Sequence, residues 1–243
     1  ALRRAGIEVD VGAAQDAAAA LNAPFLWSVR RPERPFVALK IATSVDGFMA
    51  APNGRPQWIS GPEARDYVHW LRAGFDAIGV GRQTAETDDP QLTVRGPLVP
   101  RVPPRRVVFT RSGSVRAGLT LVRTANEIPT IIVTDADAQA RVESVLRGTG
   151  AEVIGAQGLK ASLVKLRTKG IRSLLVEGGA VLAGALLEEG LVDRLYWIRA
   201  PTPLGSGKAV SLDGTTSWPV TERRALGRDT LLVMDRALCL QGS

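Results

Sequence analysis

The chain has 243 residues, 45% of them apolar and 23% charged, and its 31 basic and 24 acidic residues give a net charge of +7. No apolar run approaches the roughly 18 residues that span a bilayer, and the amino terminus lacks a long apolar stretch. These two features exclude a membrane protein and favour a cytoplasmic one. A single cysteine, Cys239, excludes an internal disulfide, and an aromatic content of 5% disfavours nucleic-acid binding by scattered arginines.

The first 35 residues differ in pattern from the rest of the chain. GIEVDVG predicts a short strand, and the alanine-rich stretch from Ala13 to Leu26 predicts a helix. RRPERP, from Arg30 to Pro35, is typical of a linker. We therefore expect a small amino-terminal segment followed by a main domain.

Strands alternate with helices from residue 36 onward. Short apolar runs predict strands over Phe36–Thr43, Asp76–Gly81, Arg105–Thr110, Thr130–Asp135, EVIGA from residue 152, Ser173–Gly179 and Arg194–Pro201. Helices are predicted from Ser60, as an N-cap, to Ala73, and over Ala136–Arg147, Leu159–Gly170 and VLAGALLEEGLV from residue 181. The tail predicts a hairpin. This order predicts an α/β fold, in which a mostly parallel, twisted sheet is flanked by helices on both faces and has an antiparallel carboxyl-terminal edge.

Two charged residues fall near the ends of predicted strands, where ligands bind in open parallel sheets. Lys40 lies inside an apolar strand and is costly to bury without a partner, so it either points outward at an edge or faces a cleft. Glu177 ends another strand and precedes Gly178 and Gly179 at the start of a helix. This junction predicts either a tight turn or a phosphate cradle beside a carboxylate, because free N–H groups at a helix start favour an anion.

An earlier junction has a similar pattern. Gly81 permits a close backbone approach, and Thr84 can bond a phosphate or cap a helix. Asp88 and Asp89 are read either as paired carboxylates for acid–base or metal chemistry, or as a turn that the aspartates and Pro90 stabilise.

Two arginines, Arg72 and Arg95, bracket this segment. Together they can grip one phosphate, whereas each alone is more often a surface residue. His69 shares the predicted helix with Arg72 and has no nucleophile motif nearby, so a structural position and a role in the site both stay open. With one histidine and one cysteine, no cysteine-based or histidine-rich metal site is expected.

Five longer motifs follow one another along the chain: KIATSVDGFMA, QWISGPEARDYVHWLRAGFDAIGVGRQTAETDDPQLTVRG, PRRVVFT, LLVEGGAVLAGALLEEGLVDRL and the PLGSG turn. Together they resemble the reductase domain of bifunctional riboflavin-biosynthesis proteins. The resemblance implies a dihydrofolate-reductase-like fold and NADPH-dependent reduction of 5-amino-6-(5-phosphoribosylamino)uracil to the ribitylamino compound. The alternative is another NADPH reductase of this fold that acts on a pteridine-like substrate.

The resemblance also implies two parts. Residues 34–243 would form the reductase domain, and residues 1–33 resemble the end of a preceding deaminase domain with its connecting helix. The zinc signature of that deaminase is missing, so no deaminase activity is expected from this chain, and whether a deaminase precedes residue 1 stays open. Apolar residues in helix 182–189 and strand 194–200 suggest a homodimer interface.

Matching positions receive roles from the resemblance. NADPH would be bound by Ala42, Trp58, Thr84, Asp88, Thr110, Arg111, Ser112, Gly178, Gly179, Ala180, Val181 and Leu182, with Arg111 and Ser112 as partners of its 2′-phosphate. The phosphorylated substrate would be held by Arg72, Leu92, Arg95 and Glu177, and Lys40 and Glu177 would be the catalytic groups at the sugar. Pro56 replaces a serine that is frequent in the family, which removes a hydroxyl and a backbone donor, so the phosphate is either held more weakly there or held by Arg55.

Overall fold

The computed structural model describes residues 1–50 and 59–236 of the chain. Its strands are β1 (Phe36–Thr43), β2 (Phe48–Ala50), β3 (Ala77–Gly81), β4 (Arg105–Phe109), β5 (Thr130–Thr134), β6 (Glu152–Gly155), β7 (Ser173–Val176), β8 (Arg194–Arg199), β9 (Lys208–Ala209), β10 (Val220–Leu226) and β11 (Asp229–Asp235). Its helices are α1 (Gln15–Leu21), α2 (Ala23–Arg30), α3 (Pro62–Arg72), α4 (Arg82–Asp88), α5 (Thr120–Arg123), α6 (Gln139–Val145), α7 (Gly158–Thr168) and α8 (Ala180–Glu188).

Within this part of the chain, nine strands form one sheet in the order β10-β11-β8-β1-β7-β3-β4-β5-β6. All pairings from β8 to β6 are parallel. The pairings of β11 with β8 and of β10 with β11 are antiparallel. The predicted mostly parallel sheet with an antiparallel carboxyl-terminal edge is therefore confirmed. The small antiparallel pair of β2 and β9 was not predicted, because strands this short carry no periodic signal.

Helices cover both faces of the sheet, as predicted. On one face, α7 and α8 bury their apolar residues against the strands. On the other face, α2 and α3 cover the half around β1, and α4, α5 and α6 cover the half around β4 and β5. Side chains alternate along a strand. Leu39 therefore joins the core beneath α8, whereas Ala38 and Lys40 face the α3 side.

The amino-terminal segment differs from its prediction. Residues 6–12 form no strand, because their apolar residues have no neighbouring strand to pack on, and Val11 is 79% exposed. The single predicted helix is two helices, α1 and α2, which are separated at Asn22. Pro24 lies in the first turn of α2, where proline is tolerated, but it cannot continue a preceding helix. α2 also extends to Arg30, beyond the predicted end at Leu26, and buries Trp27 against Phe36.

The prediction of Ser60 as an N-cap was wrong. Gly61 occupies the N-cap of α3, and the helix begins at Pro62, whose missing N–H is not needed in the first turn. The buried carboxylate of Asp229 accepts a hydrogen bond from Gly61 N at 2.7 Å. The tip of the β10–β11 hairpin thus anchors the start of α3.

The apolar residues of α8 and β8 that suggested a dimer interface pack within the chain. β8 lies inside the sheet between β1 and β11, so it has no free edge. In α8, Leu182, Ala183 and Leu186 are buried in the core of the same chain. Packing within the chain accounts for the apolar character on which the interface prediction depended.

Candidate active site

Lys40 and Glu177 lie on the neighbouring strands β1 and β7, with Glu177 just beyond the carboxyl end of β7 and Lys40 three residues before the end of β1. The register of these parallel strands pairs Leu39 with Val176, so the next residues of the two strands are Lys40 and Glu177. Both side chains point to the face that α3 covers, because Leu39 and Val176 point to the opposite one. Of the two options left open for Lys40, a position facing the interior of the site is the one observed, since β1 is a central strand.

The direct partner of Glu177 is Arg72, at the last position of α3. Arg72 Nε donates to Glu177 Oε1 at 2.6 Å, and Arg72 Nη2 donates to Oε2 at 3.0 Å. The side chains of Arg72 and Glu177 are only 14% and 10% exposed. Such a forked pair fixes the carboxylate plane at the end of β7. The helix arginine that sequence reasoning assigned to a phosphate therefore also holds a proposed catalytic carboxylate.

The charges of this cluster shift one another's titration. Burial alone would raise the pKa of Glu177, but the charge and hydrogen bonds of Arg72, with the charge of Lys40, bring that pKa below its ordinary value. Burial lowers the pKa of Lys40; the negative charge of Glu177 opposes this shift, and the positive charge of Arg72 adds to it. Lys40 thus releases its proton more readily than a solvated lysine does.

The loop after α4 closes one side of this cluster. Arg72 Nη1 donates to Thr93 O at 2.9 Å. Leu92 is buried and has a φ of 50°, a left-handed conformation that is unusual for leucine. Arg95 is exposed and donates from Nη2 to Gln91 Oε1 at 2.8 Å. The structure thus places predicted substrate residues Leu92 and Arg95 in the loop that Arg72 binds.

The two aspartates that precede this loop have different surroundings. Asp89 has a φ of 39°, and its carboxylate accepts bonds from Thr120 N at 2.7 Å and Thr120 Oγ1 at 2.8 Å. Asp89 therefore caps the start of α5, which is a structural position rather than a catalytic one. Asp88, at the end of α4, is exposed as a whole residue, but partial burial of its carboxyl group raises the pKa of that group. The Asp89 carboxylate is thus engaged with Thr120, and a ligand-binding role of Asp88 stays a prediction.

The β7–α8 junction has the features that an anion cradle requires. Gly178 and Gly179 follow Glu177, and Gly179 is the N-cap of α8. The amides of Ala180, Val181 and Leu182 in the first turn have no carbonyl partner within the helix. Gly179 N donates to Thr84 Oγ1 at 3.2 Å, so the predicted residues of α4 and α8 meet here. A Cβ atom at Gly179 would lie 3.0 Å from the same oxygen, which shows how closely the Thr84 side chain approaches the Gly179 backbone.

Beyond β3, the end of β4 carries the other predicted cofactor residues. The Thr110 hydroxyl is buried and has no hydrogen-bond partner among the described residues. Arg111 and Ser112 are exposed, and Arg141 of α6 donates to Ser112 O. Gly113, with a φ of 65°, leaves no room for a side chain, because a Cβ atom would lie 2.6 Å from Val142. This loop is thus fixed against α6 while its polar side chains face outward.

The remaining predictions concern Ala42, Trp58, Pro56, Arg55 and Cys239. Ala42 is half-buried near the end of β1, on the same face as Lys40. Trp58, Pro56, Arg55 and Cys239 lie outside the described residues.

Sequence reasoning missed three contributions. Thr93 acts through its main-chain oxygen, which no residue type reveals. Arg141 is one of many scattered arginines, and only its bond to Ser112 O distinguishes it. Asp46 accepts bonds from Leu204 N and Gly205 N, which tie the turn after β1 to the PLGSG turn. The sequence signal for this last contact was the presence of both turns among the family motifs.

A nicotinamide dinucleotide fits the donor set of this edge. The unpaired helix amides suit a pyrophosphate, and the unpartnered Thr110 hydroxyl lies two strands away, a separation of about 10 Å that suits the adenosine end. Across residues 1–50 and 59–236, no three His, Cys, Asp or Glu side chains are grouped so as to hold a metal ion. In the same ranges, no helix has the length and apolar character to cross a bilayer.

These features define an α/β protein with a mostly parallel sheet and a candidate ligand site at the carboxyl ends of its central strands. A family model described as the RibD C-terminal domain matches residues 35–232. The chain therefore belongs to the RibD C-terminal domain family, and the family resemblance predicted from the sequence motifs is confirmed.

Individual relatives agree with this assignment. The chain is 35% identical over 210 residues to the riboflavin biosynthesis protein RibD of Aquifex aeolicus, which covers 86% of this chain and 58% of that protein. The structure is similar to that of Acinetobacter baumannii RibD, with a TM-score of 0.80 and 30% identity over 96% of this chain and 67% of that one. It is also similar to a diaminohydroxyphosphoribosylaminopyrimidine deaminase/5-amino-6-(5-phosphoribosylamino)uracil reductase from Thermotoga maritima, with a TM-score of 0.81 and 27% identity over 97% and 66% of the two chains. The chain thus spans little more than half the length of its Aquifex relative.

Proposed function

We propose that this chain is an NADPH-dependent reductase that converts 5-amino-6-(5-phosphoribosylamino)uracil to its 5-phosphoribitylamino counterpart in riboflavin biosynthesis. Membership of the RibD C-terminal domain family supports the reaction class. The name of the Thermotoga relative includes this reductase activity. No deaminase activity is proposed for this chain.

The arrangement at the end of β7 is the observation that carries the proposal. Glu177 faces Arg72 and Lys40 on the α3 side, and the next residues, Gly178 and Gly179, lead into the unpaired amides of α8. A carboxylate and cations for a phosphorylated sugar therefore lie within a few residues of an anion cradle for a dinucleotide. Such adjacency is what hydride transfer between two bound molecules requires.

The chemistry follows from the charges of the cluster. When bound, NADPH would supply a hydride to C1′ of the ring-opened sugar, whose imine carbon is the electron-poor atom. The nitrogen of that imine then needs a proton. Lys40 is suited to donate it, because its pKa is lowered by burial. Glu177, which Arg72 holds in place, would bind the sugar hydroxyls and orient the acceptor carbon.

The remaining ligand contacts are proposed on the same basis. Leu92 and Arg95, with the free N–H groups of Arg72, would hold the ribose phosphate. Thr84, Asp88 and the first turn of α8 would bind the cofactor near its pyrophosphate. Thr110, Arg111 and Ser112 would bind its adenosine end and the 2′-phosphate that distinguishes NADPH from NADH.

The decisive experiment is NADPH oxidation by the purified chain with the ribosylaminouracil phosphate as acceptor. We expect turnover with this acceptor and none with dihydrofolate. Turnover with dihydrofolate alone would instead favour the alternative, a pteridine-type reductase of the same fold. Absence of NADPH oxidation with either acceptor would contradict the proposal.

Three further predictions stand beside this function. Residues 34–243 as the reductase domain and residues 1–33 as the remnant of a preceding domain stay predictions of the sequence. A homodimer and a cytoplasmic location also stay predictions of the sequence. Size-exclusion chromatography with light scattering would measure whether the chain forms a homodimer.

A further inference from the structure

His69, the one histidine of the chain, lies three residues before Arg72 on α3 and faces the same carbonyl group. His69 Nδ1 is 3.2 Å from Thr93 O, and Arg72 Nη1 donates to that oxygen at 2.9 Å. His69 Nδ1 and Arg72 Nη1 are 3.5 Å apart. The imidazole, the guanidinium and the carbonyl therefore form a compact cluster between α3 and the loop after α4.

The contacts decide which ring nitrogen carries the proton. A carbonyl oxygen only accepts, so the approach of Nδ1 to Thr93 O is favourable only when Nδ1 bears a hydrogen. An Nδ1–H group cannot accept a bond from Arg72. The guanidinium instead bonds Thr93 O and Glu177, and Nε2 carries the lone pair of the neutral ring.

Three charged groups face His69: Arg72 on its own helix, Arg95 in the loop after α4, and Glu177 at the end of β7. Burial and the charge of Arg72 lower the pKa of His69, while the bond to Thr93 O and the charge of Glu177 oppose the shift. The net direction keeps the ring neutral at physiological pH. Protonation would place a second cation directly beside the Arg72 guanidinium.

We propose that neutral His69 is a positioning residue, whose Nδ1–H holds the Thr93 carbonyl that in turn directs the Arg72 guanidinium onto Glu177. Thr93 also belongs to the loop that carries Leu92 and Arg95, so the same bond fixes the substrate side of the site. The effect on catalysis rests on the proposed function, whereas the hydrogen-bond arrangement does not. A fall in pH weakens these hydrogen bonds, because the protonated imidazole of His69 repels the Arg72 guanidinium.

The arrangement can be tested without any substrate, because a single histidine gives a single set of imidazole nitrogen resonances. In ¹⁵N NMR spectra of the whole chain, we expect the proton on Nδ1 and a titration midpoint below 6.5, the ordinary value. Replacing Arg72→Met should raise that midpoint, because a facing positive charge is removed, whereas Arg82→Met on α4 should leave it unchanged. A proton on Nε2 in the wild-type chain, or an unchanged midpoint in a folded Arg72→Met variant, overturns the proposal.

A kinetic test addresses the consequence for the reaction. His69→Asn keeps an N–H donor near the position of Nδ1 but cannot titrate, and His69→Leu removes the donor. We expect His69→Leu to lower kcat/KM for the ribosylaminouracil phosphate about five- to tenfold, the loss of one hydrogen bond, with the KM for NADPH unchanged. His69→Asn should stay within about twofold and lose the acid-side decline in kcat that follows the His69 midpoint.

Asp66→Asn, on the exposed side of α3, is the matched control for a change of residue on this helix. Wild-type kinetics and pH profile in His69→Leu would overturn the positioning role. Absence of uracil reduction by the wild-type chain would instead contradict the proposed function, and the NMR measurement would still decide the arrangement of His69.

Discussion

The buried pair of Arg72 and Glu177 gives the sharpest prediction for stability and activity. Glu177→Gln keeps an amide oxygen that can accept one hydrogen bond from Arg72 but removes the negative charge. Arg72 and Lys40 then lose the carboxylate that balances their charge, in a site where the side chains of Arg72 and Glu177 are only 14% and 10% exposed. Uncompensated buried charge of this kind costs about 3 kcal/mol. For a domain of this size, that loss lowers Tm by roughly 6–12 °C.

Glu86→Gln is the matched control, because the Arg82–Glu86 pair on α4 is 42% and 24% exposed. An exposed pair contributes less than about 1 kcal/mol, so its Tm should change by no more than roughly 4 °C. Differential scanning calorimetry at pH 7 measures both variants. Equal Tm changes for Glu177→Gln and Glu86→Gln would refute the claim that the Glu177 charge compensates two buried cations.

The pH dependence follows from the same pair. Because the pKa of Glu177 in the folded chain lies below its ordinary value of 4.5, its contribution to stability is complete above 4.5 and is lost as the pH falls through the lower, folded-state value. The wild-type chain should therefore lose more stability on acidification than Glu177→Gln does. A Tm difference between the two that stays constant down to pH 3 would contradict this linkage.

Three other substitutions test separate parts of the site. Lys40→Met should leave NADPH binding, measured by tryptophan quenching, within about twofold and lower kcat by about 100-fold or more, because it removes the proton donor; unchanged turnover would exclude Lys40 from the mechanism. Gly179→Ala should raise the KM for NADPH about tenfold, because its Cβ would lie 3.0 Å from Thr84 Oγ1, and adding Thr84→Ala should restore little affinity since the hydroxyl is also lost. Asp89→Ala should destabilise the chain by about 1 kcal/mol in urea unfolding, because α5 loses its cap, whereas Asp88→Ala should not; equal losses would disprove the different roles.

Much of the fold could be predicted because its signals are local. The runs that became β1, β3, β4, β5 and β7 are short and mostly apolar, as is typical of strands buried on both faces. The amino-terminal prediction was wrong for a related reason. Residues 6–12 have strand-like alternation, but a strand needs a neighbour, and no strand in the described part of the chain pairs with them.

The sequence also determined which residue types meet at the carboxyl ends of the strands, because parallel topology brings those ends to one edge. Only the tertiary structure decided how they pair. Arg72 and Glu177 are separated by 105 positions, and nothing local indicates that the guanidinium bonds this carboxylate while Lys40 acts on it through charge alone. Thr93 contributes a main-chain oxygen, which any residue type would offer. Which groups form hydrogen bonds depends on differences of a few tenths of an ångström in the distance between segments that are far apart in the chain. Packing sets these distances, and periodicity does not.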